Sequence, residues 1–217
     1  MLNTPDPVVV LLTLGFLALA PFIAIMVTSF AKLVIVLSLV RNALGLQQIP
    51  PNLVLNGLAL VLSIYIMAPL ALQLADAAQA RMTTGTLEPK ALFGIISDAR
   101  APLQQFLGKH AQPREREFFV QSANKLWPEE QAKALRNDDL MVLVPAFTVS
   151  ELTAAFKIGF IIYLAFVIVD LVVANVLVAL GMVMFSPTVV SVPLKLLLFV
   201  LLDGWAKLIH GLILTYR

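Results

Sequence analysis

Residues 141–180 form a run of 40 residues dominated by apolar side chains, with Glu151, Lys157 and Asp170 embedded in it. As one α-helix this run would reach about 60 Å at roughly 1.5 Å per residue, about twice the hydrocarbon thickness of a bilayer. Such a segment must fold back, run far out of the membrane, or never lie in lipid as one straight rod. Further apolar blocks stand at 8–40, 53–75 and 189–214. The first is also too long for one span, and Pro21 is placed to kink or divide it.

Composition sets the class. Of the 217 residues 60% are hydrophobic and 13% charged, whereas soluble domains run at about half and a quarter. This is a membrane-type composition. The net charge of +2 gives no reason to expect nucleic acid. The chain has no cysteine, so disulfides and thiol chemistry are excluded. His110 and His210 have no ligand-type neighbours at useful spacing, no Gly-rich phosphate loop is present, and neither metal nor cofactor is expected. The opening segment lacks a basic n-region and carries Asp6 where Lys or Arg would stand in a signal peptide, so the first apolar run reads as retained.

Residues 81–139 differ. They hold 17 of the 28 charged side chains and read as a polar helical module between membrane-type segments. Glu88-Pro89 and Pro128-Glu129-Glu130 mark helix starts, and "REREFFVQSANKLW" suits an amphipathic turn or two. In the 41–56 connection, Pro50-Pro51 is expected to end one helix and Asn52 to start the next. Three regions follow: 1–75, N-terminal apolar helices; 76–140, the polar module; and 141–217, C-terminal apolar hairpins.

Seven charges lie inside the apolar blocks: Lys32, Glu151, Lys157, Asp170, Lys195, Asp203 and Lys207. Unpaired and central in a bilayer, they would cost on the order of 20 kcal/mol together. Asp203 and Lys207, four apart, can meet on one helix face. Glu151, Asp170 and Lys195 need partners from another segment or another copy of the chain. These charges act as assembly clamps, or form an ion relay of the secondary-transporter kind, or, with Asp170 and Asp203, serve an intramembrane aspartyl protease. The Gly-x-Gly-Asp context of the last is missing, no nucleophile–base set appears, and no internal repeat favours a transporter. A non-enzymatic role is expected.

Several blocks together carry a resemblance: "PFIAIMVTSFAKLVIVLSLVRNALGLQQIPPNLVLNGLAL" (21–60), "PAFTVSELTAAFKIGFIIYLAFVIVDLVVANVLVALGMVMFSP" (145–187) and "VPLKLLLFVLLDGWAKLI" (192–209). They resemble the FliP/SctR family (YscR/HrcR), export-gate proteins of type III secretion systems. The unprocessed N-terminus suggests the injectisome branch. The resemblance implies an all-α fold of membrane-type helical hairpins with an inserted helical extracytoplasmic module, assembling into a ring. It implies about five copies, joined by SctS/FliQ-like and SctT/FliR-like subunits, through which unfolded secreted proteins pass. It implies a multi-pass protein of the bacterial inner membrane with the 76–140 module on the periplasmic side.

The resemblance also assigns residues. The loop after the fourth helical stretch is commonly three methionines in this family; here it is Met182-Val183-Met184, followed by Phe185. By resemblance Met182 and Met184 line a pore gasket, Val183 narrows it and Phe185 backs it. Unbranched, polarisable Met suits a seal that must repack around varied shapes, and an apolar constriction stops ions by dewetting. Glu151 and Lys195 match positions implied to form an intersubunit salt bridge. Lys32, Lys157, Asp170, Asp203 and Lys207 remain further buried charges.

Overall fold

The computed structural model describes residues 7–82 and 89–217, and these are helical throughout apart from short connections. In chain order the helices are α1 (Pro7–Val27), α2 (Phe30–Ala43), α3 (Asn52–Met82), α4 (Pro89–His110), α5 (Pro113–Leu126), α6 (Glu129–Ala134), α7 (Leu140–Ala179), α8 (Pro187–Leu201) and α9 (Gly204–Leu214). By length and composition α3 over Asn52–Asp76 and α7 can each cross a membrane. The two other apolar blocks are bent pairs: residues 21–27 with α2, at 77°, and α8 with α9, at 63°. The long run is therefore one uninterrupted helix of 40 residues, not a folded-back pair.

Both bends have local causes. The first block does not divide at Pro21, which lies inside α1. The chain turns at Thr28-Ser29, where side-chain hydroxyls replace the helical ladder. The Phe30 amide donates to Thr28 Oγ1 (3.4 Å) and the Met26 carbonyl accepts from Thr148 Oγ1 (3.2 Å). Buried Ser29 donates to Ser63 Oγ across to α3 (3.0 Å). At the second bend Asp203 adopts φ 52°, in the left-handed region. A Cβ on the following Gly204 would lie 2.3 Å from the Phe199 ring, so only glycine lets the turn close this tightly.

The connection between α2 and α3 ends as its prolines require, with Asn52 opening α3. Arg41 ties it shut, donating to Pro50 O (3.1 Å) and Asn52 Oδ1 (2.7 Å).

Helix α2 is the centre of the packing. Leu33, Val36, Leu37 and Val40 repeat at three- and four-residue spacing on one buried stripe. They meet Leu55, Ala59 and Leu62 of α3, Ala155 of α7, Phe199 of α8 and Leu212 of α9. Each fully buried Leu contributes about 1.5–3 kcal/mol of burial. A second core joins Leu107 at the end of α4 and Ala111 just beyond it to Leu143, Ala146 and Phe147 of α7. The polar helices thus share a core with the first turns of α7 instead of building their own. The α3 helix also runs through the 75/76 boundary, to Met82.

Candidate functional site

The loop between α7 and α8 is shaped by its ends. Leu180 closes α7 and Gly181 follows at φ 77°. The Gly181 amide donates to Val178 O (3.0 Å) and the Met182 amide to Leu177 O (2.9 Å). This paired pattern is a Schellman stop, which needs a residue at positive φ and so selects glycine. On the far side Ser186 is extended and Pro187 opens α8, a position where the missing amide costs nothing.

Met182, Val183, Met184 and Phe185 make up the turn between these two ends. All four are exposed, Met184 completely and Val183 to 74%. The tip of a long hairpin therefore presents four apolar side chains to the outside, Met182 and Phe185 partly covered and Val183 and Met184 largely free. A turn facing only water gains nothing from such side chains, whereas polar turn residues would satisfy its backbone.

Two of the embedded charges form a pair across α2 and α7. Lys32 Nζ lies 3.2 Å from Glu151 Oε1, with side chains 3% and 6% exposed. The other Glu151 oxygen accepts from the Tyr216 hydroxyl. Lys32 Nζ also sits 3.8 Å from the centre of the Tyr216 ring. His110 meets that ring edge-on at 5.1 Å and Phe106 stacks near it at 6.4 Å. Burial, reinforced by the charge of Glu151, holds the Tyr216 phenol well above its usual pKa. Burial, with Lys109 and Lys32 nearby, lowers the His110 imidazole to about 4. Neither His110 nor Tyr216 is signalled by the sequence, where they are a lone histidine and a lone tyrosine.

The second pair joins α8 to α7. Lys195 Nζ donates to Asp170 Oδ2 (2.5 Å) and to the Ala43 carbonyl (3.2 Å). It borders a cleft of ≈ 780 Å³ lined also by Asn42, Gln47 and Ser191. Asp170 Oδ1 and Ser191 Oγ are buried there without a hydrogen-bond partner among the described residues.

Glu151 and Lys195 are therefore not paired with each other in one chain: each has its own partner on another helix. Three of the seven embedded charges lie at the surface of the single chain. Lys157, Asp203 and Lys207 are exposed, because Lys157 falls on the outer face of α7 and Asp203 is the turn residue of the α8–α9 bend. Asp203 precedes α9 in the left-handed region, so its side chain does not have the helical direction that would bring it to Lys207. Their contact is the backbone bond from the Lys207 amide to Asp203 O (3.0 Å), and no ion pair joins them among the described residues.

A model of the FliP family matches residues 12–212. The chain is 49% identical over 216 residues to "Yop proteins translocation protein R" of Yersinia pestis, covering 100% of this chain and 99% of the relative. It is 50% identical over 202 residues to "Hypersensitivity response secretion protein HrcR" of Ralstonia nicotianae, covering 93% of each. It is 42% identical over 216 residues to "Virulence protein YscR" of Salmonella typhimurium, covering 99% of this chain and 100% of the relative.

Proposed function

The chain belongs to the FliP family, and from that premise we propose that it is a subunit of the inner-membrane export apparatus of a type III protein secretion system, of the injectisome branch. Full-length similarity to relatives named for translocation and secretion supports the role. The observation that carries the mechanism is the exposed apolar tip, Met182 to Phe185, on the α7–α8 hairpin. Copies arranged in a ring, about five, would bring these tips together around a central path. Such a constriction yields to an unfolded chain and excludes ions when closed, because methionine repacks easily and an apolar neck dewets. The role is mechanical, with no catalytic step. The SctS/FliQ-like and SctT/FliR-like subunits complete the assembly.

The buried charges fit a clamp better than a relay. Lys32–Glu151 holds α2 to α7, and Asp170–Lys195 holds α7 to α8. Both oxygens of Glu151 have partners within the chain, so a bridge to Lys195 of a neighbouring copy would require one of these partners to be exchanged on assembly. The Lys195 side stays open: the cleft with its unpartnered Asp170 Oδ1 and Ser191 Oγ suits a donor from a neighbouring copy. The 76–140 module lies on the periplasmic side in this reading. Contact between Tyr216, just past the fourth apolar block, and His110 of the module supports their sharing one side.

Cysteine crosslinking tests the ring. The native chain has no cysteine, so a Met184→Cys chain in the assembled apparatus should give oxidative crosslinks between copies. A Val149→Cys chain, with its exposed site low on α7, serves as the control. Absence of Met184 crosslinks in an intact complex would place the tips apart and remove the gasket.

A further inference from the structure

We infer that Tyr216 is a clasp: it fastens the end of the polar helices to the base of the α7–α8–α9 hairpin by completing the coordination of buried Glu151. This inference concerns the subunit's own construction and does not depend on the export reading.

Glu151 is almost wholly removed from solvent and has two oxygens to satisfy. Lys32 reaches one. Without a donor at the other, a carboxylate oxygen would be buried unpaired, at a cost greater than that of any neutral group. The Tyr216 hydroxyl is that donor. It arrives from the segment after α9, which the 63° bend at Asp203-Gly204 directs away from the α8 axis.

The ring does separate work. One face lies under Lys32 Nζ at 3.8 Å, a cation–π contact in a dry setting. His110 packs edge-on at 5.1 Å, and Phe106 bridges onward to Phe147 at 5.7 Å. One side chain thus touches α2, α4 and α7 from beyond α9. Beside it the Gln112 amide donates to Ser150 Oγ (2.9 Å), one residue from Glu151. The start of α5 and the end of α4 are therefore held at the same turn of α7. Glu151 lies about three turns in from the start of α7, about 40 Å along the helix axis from the exposed tip beyond its other end. The clasp closes the hairpin where the tip cannot.

Hydrogen exchange of the assembled, detergent-solubilised complex tests this. Tyr216→Phe keeps the ring and its packing and removes only the hydroxyl. A bond to a charged, buried acceptor is worth about tenfold or more in local opening. Amides of residues 103–126 should therefore exchange about tenfold faster in Tyr216→Phe, with complex size unchanged. In a Glu151→Gln background the same substitution should have a much smaller effect, because the charged acceptor is gone. Wild-type exchange in Tyr216→Phe overturns the clasp. So does an effect of equal size in the Glu151→Gln chain, which would make the hydroxyl's partner irrelevant.

Discussion

Lys32 of α2 and Glu151 of α7 stand 3.2 Å apart with almost no exposure to solvent, joining two residues 119 positions apart in the sequence. Opposite charges in such a place contribute little net stability over an apolar pair of the same shape, but each depends on the other.

Removing one partner should therefore hurt more than removing both. Lys32→Ala or Glu151→Ala leaves a buried charge uncompensated and should cost about 3–5 kcal/mol. The double change Lys32→Met with Glu151→Met should recover much of that loss. Thermal unfolding of the purified complex, read beside native gels, decides it. A double variant less stable than either single would mean that the pair is not a self-contained clamp.

Close approach of the same two helices gives a second expectation. A Cβ on Gly159 would lie 2.3 Å from Leu39 Cδ1 of α2, whereas one on Gly57 of α3 meets nothing within 4 Å. Gly159→Ala should destabilise by about 1–3 kcal/mol through overpacking. Gly57→Ala should be neutral or stabilising by about 0.5–1 kcal/mol, through helix propensity alone. Equal melting temperatures for the two variants would contradict the α2–α7 contact.

His110 gives the clasp region a pH dependence of definite sign. Its folded pKa is lowered from 6.5 to about 4, by burial first and then by Lys109 of its own helix and Lys32 of α2. The neutral imidazole is the form the fold holds, so its contribution is complete above the ordinary value of 6.5. It drains as pH falls from there toward 4. Exchange of α4 amides, corrected for intrinsic rate, should rise between about pH 7 and about pH 5. His110→Gln should flatten that rise; an equally steep rise in the variant would assign it to other groups.

The side on which the polar helices lie can be read by labelling. Asn124 of α5 is exposed, and an Asn124→Cys chain offers the sole thiol. An impermeant maleimide should label it once the outer membrane is opened, with the inner membrane intact. Labelling only after inner-membrane rupture would put α5 in the cytoplasm.

Much of this was legible in the sequence, for identifiable reasons. Hydropathy located the apolar blocks, and Pro50-Pro51 and Pro128-Glu129 marked real helix boundaries, because proline acts locally through its ring and missing amide. Pro21 misled for the same reason: a locally permitted break was not used, since the hydroxyls of Thr28 and Thr148 made a better one nearby. Partners of charged residues were not legible. Spacing along one helix could suggest Asp203 with Lys207, but it could not foresee that Asp203 is the left-handed turn residue that precedes α9. Nor could it bring Lys32 to Glu151 or Tyr216 to either, since those contacts exist only once α2, α7 and α9 have packed. The role of the Met182–Phe185 tip came from the family resemblance; its apolar composition alone is equally that of a packed helix–helix turn, and what the fold adds is that all four side chains are exposed in the single chain.

The most direct test of the gasket is ion tightness. Met182→Ala with Met184→Ala removes most of two exposed apolar side chains from every copy, while an uncovered tip contributes little to contacts within the subunit. Cells carrying the assembled apparatus with this double change should leak small ions, and complex size on native gels should be unchanged. Normal ion tightness with an intact complex would contradict the account and return Met182 and Met184 to an ordinary turn.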